Sequence, residues 1–98
     1  MIKELYLGFV RIHILHHAAK GPTYGLWLME ELGHHGYQLS PGTLYPILHK
    51  MEKEKYLKSY AELVNGKIRK YYKITALGEK TLFEAKKKVG ELIKEMEE

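Results

Sequence analysis

The sequence predicts a mainly α-helical fold with one small β-hairpin, extended by a long C-terminal helix. Three observations carry this. Apolar residues recur at intervals of three and four through residues 5–15, 24–32, 44–51 and 82–96, the spacing of one helix face. Between the third and fourth stretches, two alternating runs flank Asn65-Gly66, the strongest short-range hairpin signal. A chain of 98 residues makes a single fold unit, large enough for a modest core and too small for a core plus an enclosed catalytic cleft.

Composition narrows the setting. Hydrophobic residues at 45% and charged residues at 29% are the proportions of a folded chain, which excludes disorder. There is no cysteine, so disulfides and cysteine zinc sites are excluded and a reducing interior is the simplest environment. Lys3, Glu4, Arg11 and His13 interrupt any signal-peptide apolar core. No stretch approaches the ~18 apolar residues of a membrane span. A cytoplasmic protein with no membrane partner is expected.

The first helix should run from Ile2 to about Ala19, with Gly21-Pro22 as its stop. Leu5, Phe9, Ile12 and Leu15 form one stripe; Leu7, Val10 and Ile14 form a second. A helix apolar on two sides is buried on two sides. The first stripe is expected to face its own domain, and Leu7, Val10 and Ile14 a second subunit. Thr23 is the expected N-cap of a second helix, Tyr24 to about Leu32, ended by Gly33 and Gly36. Leu28 and Leu32 mark its inner face, with Tyr24 or Gly25, and Trp27 beside that stripe reads as a packing residue.

Ser40-Pro41 is a standard helix start, but it would leave Pro46 inside the helix, against the carbonyl four residues back. The expected start is therefore Thr43, or a tight first turn ahead of it, with Pro46 in the first turn where its missing N–H costs nothing. Leu44, Ile47, Leu48 and Met51 form the buried stripe; Gly42, Pro46, His49 and Lys53 lie opposite, flanked by Thr43, Lys50 and Tyr45.

The Asn65-Gly66 turn sets a register in which Val64 faces Lys67, Leu63 faces Ile68, Glu62 faces Arg69, Tyr60 faces Tyr71 and Lys58 faces Lys73. One face is then Leu57, Ser59, Ala61, Leu63, Ile68, Lys70, Tyr72 and Ile74, expected to be mostly core. The other is Lys58, Tyr60, Glu62, Val64, Lys67, Arg69, Tyr71 and Lys73, basic and aromatic, although Glu62–Arg69 and Tyr60–Tyr71 pairs also simply stabilise exposed hairpins. Thr75 should cap the last helix, whose Leu82, Ala85, Val89, Leu92 and Met96 form a coiled-coil-like seam. A seam on a helix at the end of a small fold unit calls for a second chain. Two units follow, residues 1–75 for the compact part and residues 76–98 for a dimerisation helix.

Charge is unevenly spread. The chain carries +4 overall, yet His49 to Lys73 alone holds eight Lys/Arg and three Glu, a net +5. A local positive field of that kind is what a phosphate-facing surface carries.

Three helices followed by a hairpin is the winged helix-turn-helix order, in which the third helix enters the major groove of DNA. Gly21-Pro22-Thr23-Tyr24-Gly25, Leu39-Ser40-Pro41-Gly42-Thr43-Leu44-Tyr45-Pro46-Ile47-Leu48 and Arg69-Lys70-Tyr71-Tyr72-Lys73-Ile74-Thr75 with Gly78 resemble the PadR family of regulators, in order and spacing from about Leu5 to Leu82. The resemblance implies a homodimeric repressor, its third helix and wing on double-stranded DNA and its C-terminal helix against the partner's first helix. On that footing His49, Lys50 and Lys53 should lie in or beside the major groove, Thr43 and Tyr45 should contact phosphates at its start, and Lys67 and Arg69 should reach the adjacent backbone or minor groove. Some members respond to phenolic acids or to drugs stacked on a tryptophan of the last helix. Residues 76–98 contain no Trp, so that ligand mode does not carry over, and the identity of any small-molecule effector stays open.

Other functional classes fit the residues less well. An enzyme is not expected, because no nucleophile elbow, phosphate-binding glycine loop or acidic pair in a loop is present. No cofactor is called for. His13 and His17 stand at i, i+4, with His16, His34 and His35 elsewhere, a spacing that can share a metal; spacing marks no third ligand, so no metal site is assigned. A winged helix used only for protein association is the remaining alternative.

Overall fold

Helix periodicity and the hairpin signal are realised in a computed structural model that describes residues 1–98. The order is α1 (Ile2–Lys20), β1 (Thr23–Tyr24), α2 (Gly25–His34), α3 (Pro41–Lys53), β2 (Leu57–Val64), β3 (Lys67–Ile74) and α4 (Ala76–Met96). The strands form one antiparallel sheet in the order β1-β3-β2. The β2–β3 register is the expected one, pair for pair. Asn65 and Gly66 hold it at φ 51° and 78°, where glycine pays no Cβ penalty and asparagine little.

Two starts differ from expectation. Thr23 is not a helix cap. Thr23 and Tyr24 are extended and pair with Tyr72 and Tyr71 of β3, so α2 begins only at Gly25. A two-residue strand has no periodicity to read, and the β3 edge it completes lies nearly fifty residues away in sequence. Helix α3 starts at Pro41, capped by Ser40, whose carbonyl accepts from Thr43 N at 3.0 Å and Leu44 N at 2.9 Å. Pro46 therefore sits inside the helix. Gly42 is exposed, so the carbonyl that loses its proline donor is not sealed from water.

The core gathers Val10, Ile14, Leu15 and Ala18 of α1, Leu28 and Leu32 of α2, Leu44, Leu48 and Met51 of α3, and Leu57 and Tyr72 of the sheet. Each large side chain removed from water contributes about 1.5–3 kcal/mol. This corrects the assignment of α1's faces. Val10 and Ile14, expected to meet a partner, are core residues of their own protomer, and Leu7 is half-buried beside them. Of the other stripe, Leu15 is buried in the core as expected and Ile12 is half-buried, while Leu5 and Phe9 nearer the N-terminus are exposed alongside Ile2.

The hairpin face expected to be core divides as well. Leu57 and Tyr72 are buried and Ile74 packs on the core, whereas Leu63 and Ile68 near the tip are 71% and 79% exposed. The strands outrun the body that could cover them. Helix α4 does the same: Leu82 packs on the core, Ala85 and Val89 are half-buried, and every residue from Glu91 onward is exposed, Leu92 and Met96 included. The molecule is accordingly elongated, 55 × 28 × 20 Å.

Thr75 anchors α4 as expected, its Oγ1 accepting from Gly78 N at 3.0 Å while donating to the Lys55 carbonyl at 2.6 Å. Gly78 is buried, and a side chain there would run into the Tyr56 carbonyl and Ile74 Cγ1, so the position takes glycine. The Ile-Thr-x-x-Gly motif is thus the joint between the sheet and α4.

Candidate nucleic-acid interface

The exposed side of α3 carries the polar residues that the sequence assigns to it. Thr43, His49, Lys50 and Lys53 are all exposed. Ser40 Oγ and Thr43 Oγ1 lie 3.3 Å apart at the first turn. His49, Lys50, Lys53 and Glu54 border one shallow depression further along. Lys50 also borders a second groove with Arg11, Ile12, Leu15 and Thr81, so it stands to one side of the face that His49 and Lys53 occupy.

Tyr45 is more constrained than its expected phosphate contact requires. It is 37% exposed, and its ring lies directly against Gly25 at the start of α2, where any larger residue would collide with it. The Thr-Tyr-Gly and Gly-Thr-Leu-Tyr motifs therefore meet in space: glycine at 25 is what lets α2 and α3 close upon Tyr45.

Between this contact and the wing lies a cleft of about 480 Å³, lined by Tyr24, Gly25, Tyr45, Lys67, Arg69 and Lys70 among others. Lys67 is exposed at its rim. Arg69 is not the freely reaching cation, nor the Glu62 partner, that its position in the strand implies. Its guanidinium lies 4.0 Å from the Tyr24 ring centroid, and Nη1 donates to the Tyr71 hydroxyl at 3.5 Å. Arginine is weakly hydrated and flat, which favours stacking on an aromatic face over an exposed ion pair. Tyr24 in turn meets Tyr71 edge-on at 5.6 Å, and Tyr71 stacks on Tyr60 at 5.5 Å. The outer face of the sheet is a row of three tyrosines, with Arg69 at one end and Lys73 at the other, 5.8 Å from the Tyr60 ring.

The sequence alone does not single out Tyr24 and Lys70 as site residues. By sequence Tyr24 reads as the start of a helix, and its place in the row depends on the strand it forms instead. Lys70 alternates with core residues. Its ammonium lies 3.6 Å from Glu52 Oε1, while the other carboxylate oxygen of Glu52 accepts from Ser59 N at 3.0 Å and from Ser59 Oγ. These bonds, the Ser59 hydroxyl first, hold the Glu52 carboxyl below the usual range. The result clamps the C-terminal half of α3 to the base of the wing. On the same face of the sheet, with the Lys70 ammonium 5.4 Å from its ring, Tyr72 is buried, and burial pushes its hydroxyl above the ordinary tyrosine pKa.

An exposed helix presented beside a cationic, aromatic wing on a helix-helix-helix-hairpin frame defines a winged helix-turn-helix regulator of transcription. Residues 14–84 match the transcriptional regulator PadR-like family, and the chain belongs to it. It is 43% identical over 95 residues to a transcriptional regulator of Mycobacterium tuberculosis, a match covering 97% of this chain and 89% of that protein. Among solved structures it resembles a PadR family regulator of Eggerthella lenta, with TM-score 0.83 and 30% identity over 98% of this chain and 85% of the other. A PadR-like transcription factor of Bacteroides fragilis superposes with TM-score 0.84 at 27% identity, covering 96% and 92%. No helix is long and apolar enough to cross a membrane.

Proposed function

We propose that this PadR-family regulator is a cytoplasmic homodimeric repressor that binds a pseudo-palindromic operator, residues 1–75 reading DNA and residues 76–98 joining the subunits. The observation that carries the reading is the cleft between α3 and the wing, where Lys67, Arg69 and Lys70 surround the N-terminus of α2. Helix N-termini and cationic side chains are both suited to phosphate. With a phosphate strand in this cleft, the face of α3 bearing His49 and Lys53 turns to the major groove, with Lys50 at its edge. His49 then reads base edges, with Lys50 as the second candidate, and Thr43 and Tyr45 meet the backbone.

The dimer surface in this reading is revised. Leu5 and Phe9 of α1 and Phe83, Leu92, Ile93 and Met96 of α4 are exposed and apolar, and pairing two copies would cover them. Leu82, Ala85 and Val89 continue the same seam toward the body. Two recognition helices would then meet half-sites about 34 Å apart.

Salt dependence tests the reading. If each subunit neutralises three to five phosphates, log affinity against log salt slopes at about −5 to −9. Replacing Lys67 and Arg69 by Ala in both subunits flattens the slope by about two to four units, the lower figure applying if Arg69 stays on Tyr24 and Tyr71. A complex whose affinity barely changes between low and physiological salt means that the cleft does not face phosphates, and protein association replaces DNA binding as the function. Derepression of a reporter under the protein's own upstream DNA, on deletion of its gene, tests the sign of regulation.

A further inference from the structure

Fold and sequence differ most usefully at the histidines. His13 and His17 lie one turn apart on α1, and the end of α2 brings His35 beside them, so one ligating nitrogen from each lies within 4.8 Å of the others. The His13 and His35 rings are stacked with centroids 4.8 Å apart. A carboxylate enters the same space: Glu31 Oε1 is 3.6 Å from His35 Nε2 and 4.0 Å from His17 Nε2. The His17 Nε2 atom is buried and has no hydrogen-bond partner. A buried nitrogen with a ligating nitrogen of two other imidazoles within 4.8 Å and a carboxylate oxygen 4.0 Å away, none of them hydrogen-bonded to it, is poorly explained by packing alone.

We infer that His13, His17 and His35, with Glu31 as fourth ligand, form a site for a borderline divalent transition metal, zinc or nickel in the first instance. Three imidazoles and one carboxylate are the nitrogen and oxygen donors such ions prefer. At bond lengths of about 2.0–2.1 Å, tetrahedral ligands stand roughly 3.4 Å apart, so rotation of the exposed His35 and half-buried His13 closes the set. Burial holds both His13 and His17 below the ordinary histidine pKa, which keeps their lone pairs available. An ion here joins the middle of α1 to the end of α2, where the chain turns toward α3. The site needs no DNA to form, so it stands or falls apart from the proposed operator binding.

The chain supplies its own reporter. Trp27, the single tryptophan, packs edge-on against His17 at 5.1 Å. Titration with Ni²⁺ alone is expected to quench Trp27 emission and to saturate at one ion per chain, with Zn²⁺ competing for the same place. His35→Ala, at a residue just beyond the last turn of α2, leaves the fold intact and weakens binding by more than about 100-fold, since even outer-shell losses cost 10–100-fold. Glu31→Gln weakens it about tenfold or more. A variant with His16, His34 and His49 all changed to Ala retains wild-type affinity. Equal affinity in the wild type and His35→Ala, or loss of binding in the triple variant, overturns the assignment.

Discussion

Helices α1 and α4 carry the same kind of pattern, and the fold treats them in opposite ways. They are 19 and 21 residues long, each with apolar residues at threes and fours. Helix α1 runs through the body and buries Val10, Ile14, Leu15 and Ala18; α4 buries only Gly78, in its first turn. A periodic stripe states that one side of a helix is apolar. Whether the rest of the same chain covers it depends on where the helix axis runs, and α4 leaves the body after about its first four turns.

The largest expected effect tests the covered helix. Ile14→Ala removes a fully buried side chain from the core and should cost about 2–5 kcal/mol, measured by denaturant unfolding at fixed protein concentration. A cost under about 0.5 kcal/mol would return Ile14 to a surface role.

Two glycines of α4 sharpen the comparison within one helix. Gly78→Ala drives a methyl into the Tyr56 carbonyl and Ile74, whereas a methyl at Gly90 meets nothing within 4 Å. The first should destabilise by about 1–3 kcal/mol. The second should stabilise by about 1 kcal/mol, through helix propensity alone. Similar values for both, by thermal or denaturant melts, would mean that α4 is not anchored at its start.

The wing repeats the contrast on a smaller scale, locked at its base and open at Leu63 and Ile68. Glu52→Gln keeps an acceptor for Ser59 but removes the charge facing Lys70, with an expected cost of about 1 kcal/mol. Because the folded state lowers the Glu52 pKa, this contribution is complete above the ordinary carboxylate range and drains away as pH falls through the lowered value. The gap between wild type and Glu52→Gln should therefore narrow in acid. A gap that is constant with pH would show that the charge contributes nothing.

The smallest effect on the protomer is expected at the open end of α4. Leu92 is 55% exposed, so Leu92→Lys should change protomer stability by less than about 0.5 kcal/mol. Light scattering should nonetheless show the dimer shifting toward monomers, since the charge would enter the proposed seam. An unchanged mass at micromolar concentration would place the subunit contact elsewhere.

Local signals were legible wherever one element carried the whole message. The hairpin register is legible in Asn65-Gly66 and strict alternation, and the start of α4 in Thr75; of the two glycines expected to end α2, Gly33 lies inside the helix and only Gly36 takes a positive φ just beyond it. The inner stripe of α3 was readable because Leu44, Leu48 and Met51 follow one face. The helix-helix-helix-hairpin order, together with the three motifs, was enough to indicate a winged helix of the PadR type. Of the expected DNA-facing residues, Thr43, His49, Lys50, Lys53 and Lys67 are exposed on the surfaces assigned to them.

What the sequence by itself determined, then, is the set of elements, the pairing of the hairpin and the concentration of positive charge between His49 and Lys73. Tertiary structure decided what meets across long separations. It turned α1 so that Val10 and Ile14 face inward and Leu5 and Phe9 do not. It made a strand of Thr23-Tyr24, because β3 offered an edge, and drew Arg69 onto Tyr24 in place of Glu62. It set His35 beside His13 and His17, eighteen and more residues away. Periodicity is a property of neighbours three or four residues apart. Contacts between faces depend on the angles at which whole helices cross, and no single stretch of sequence contains them.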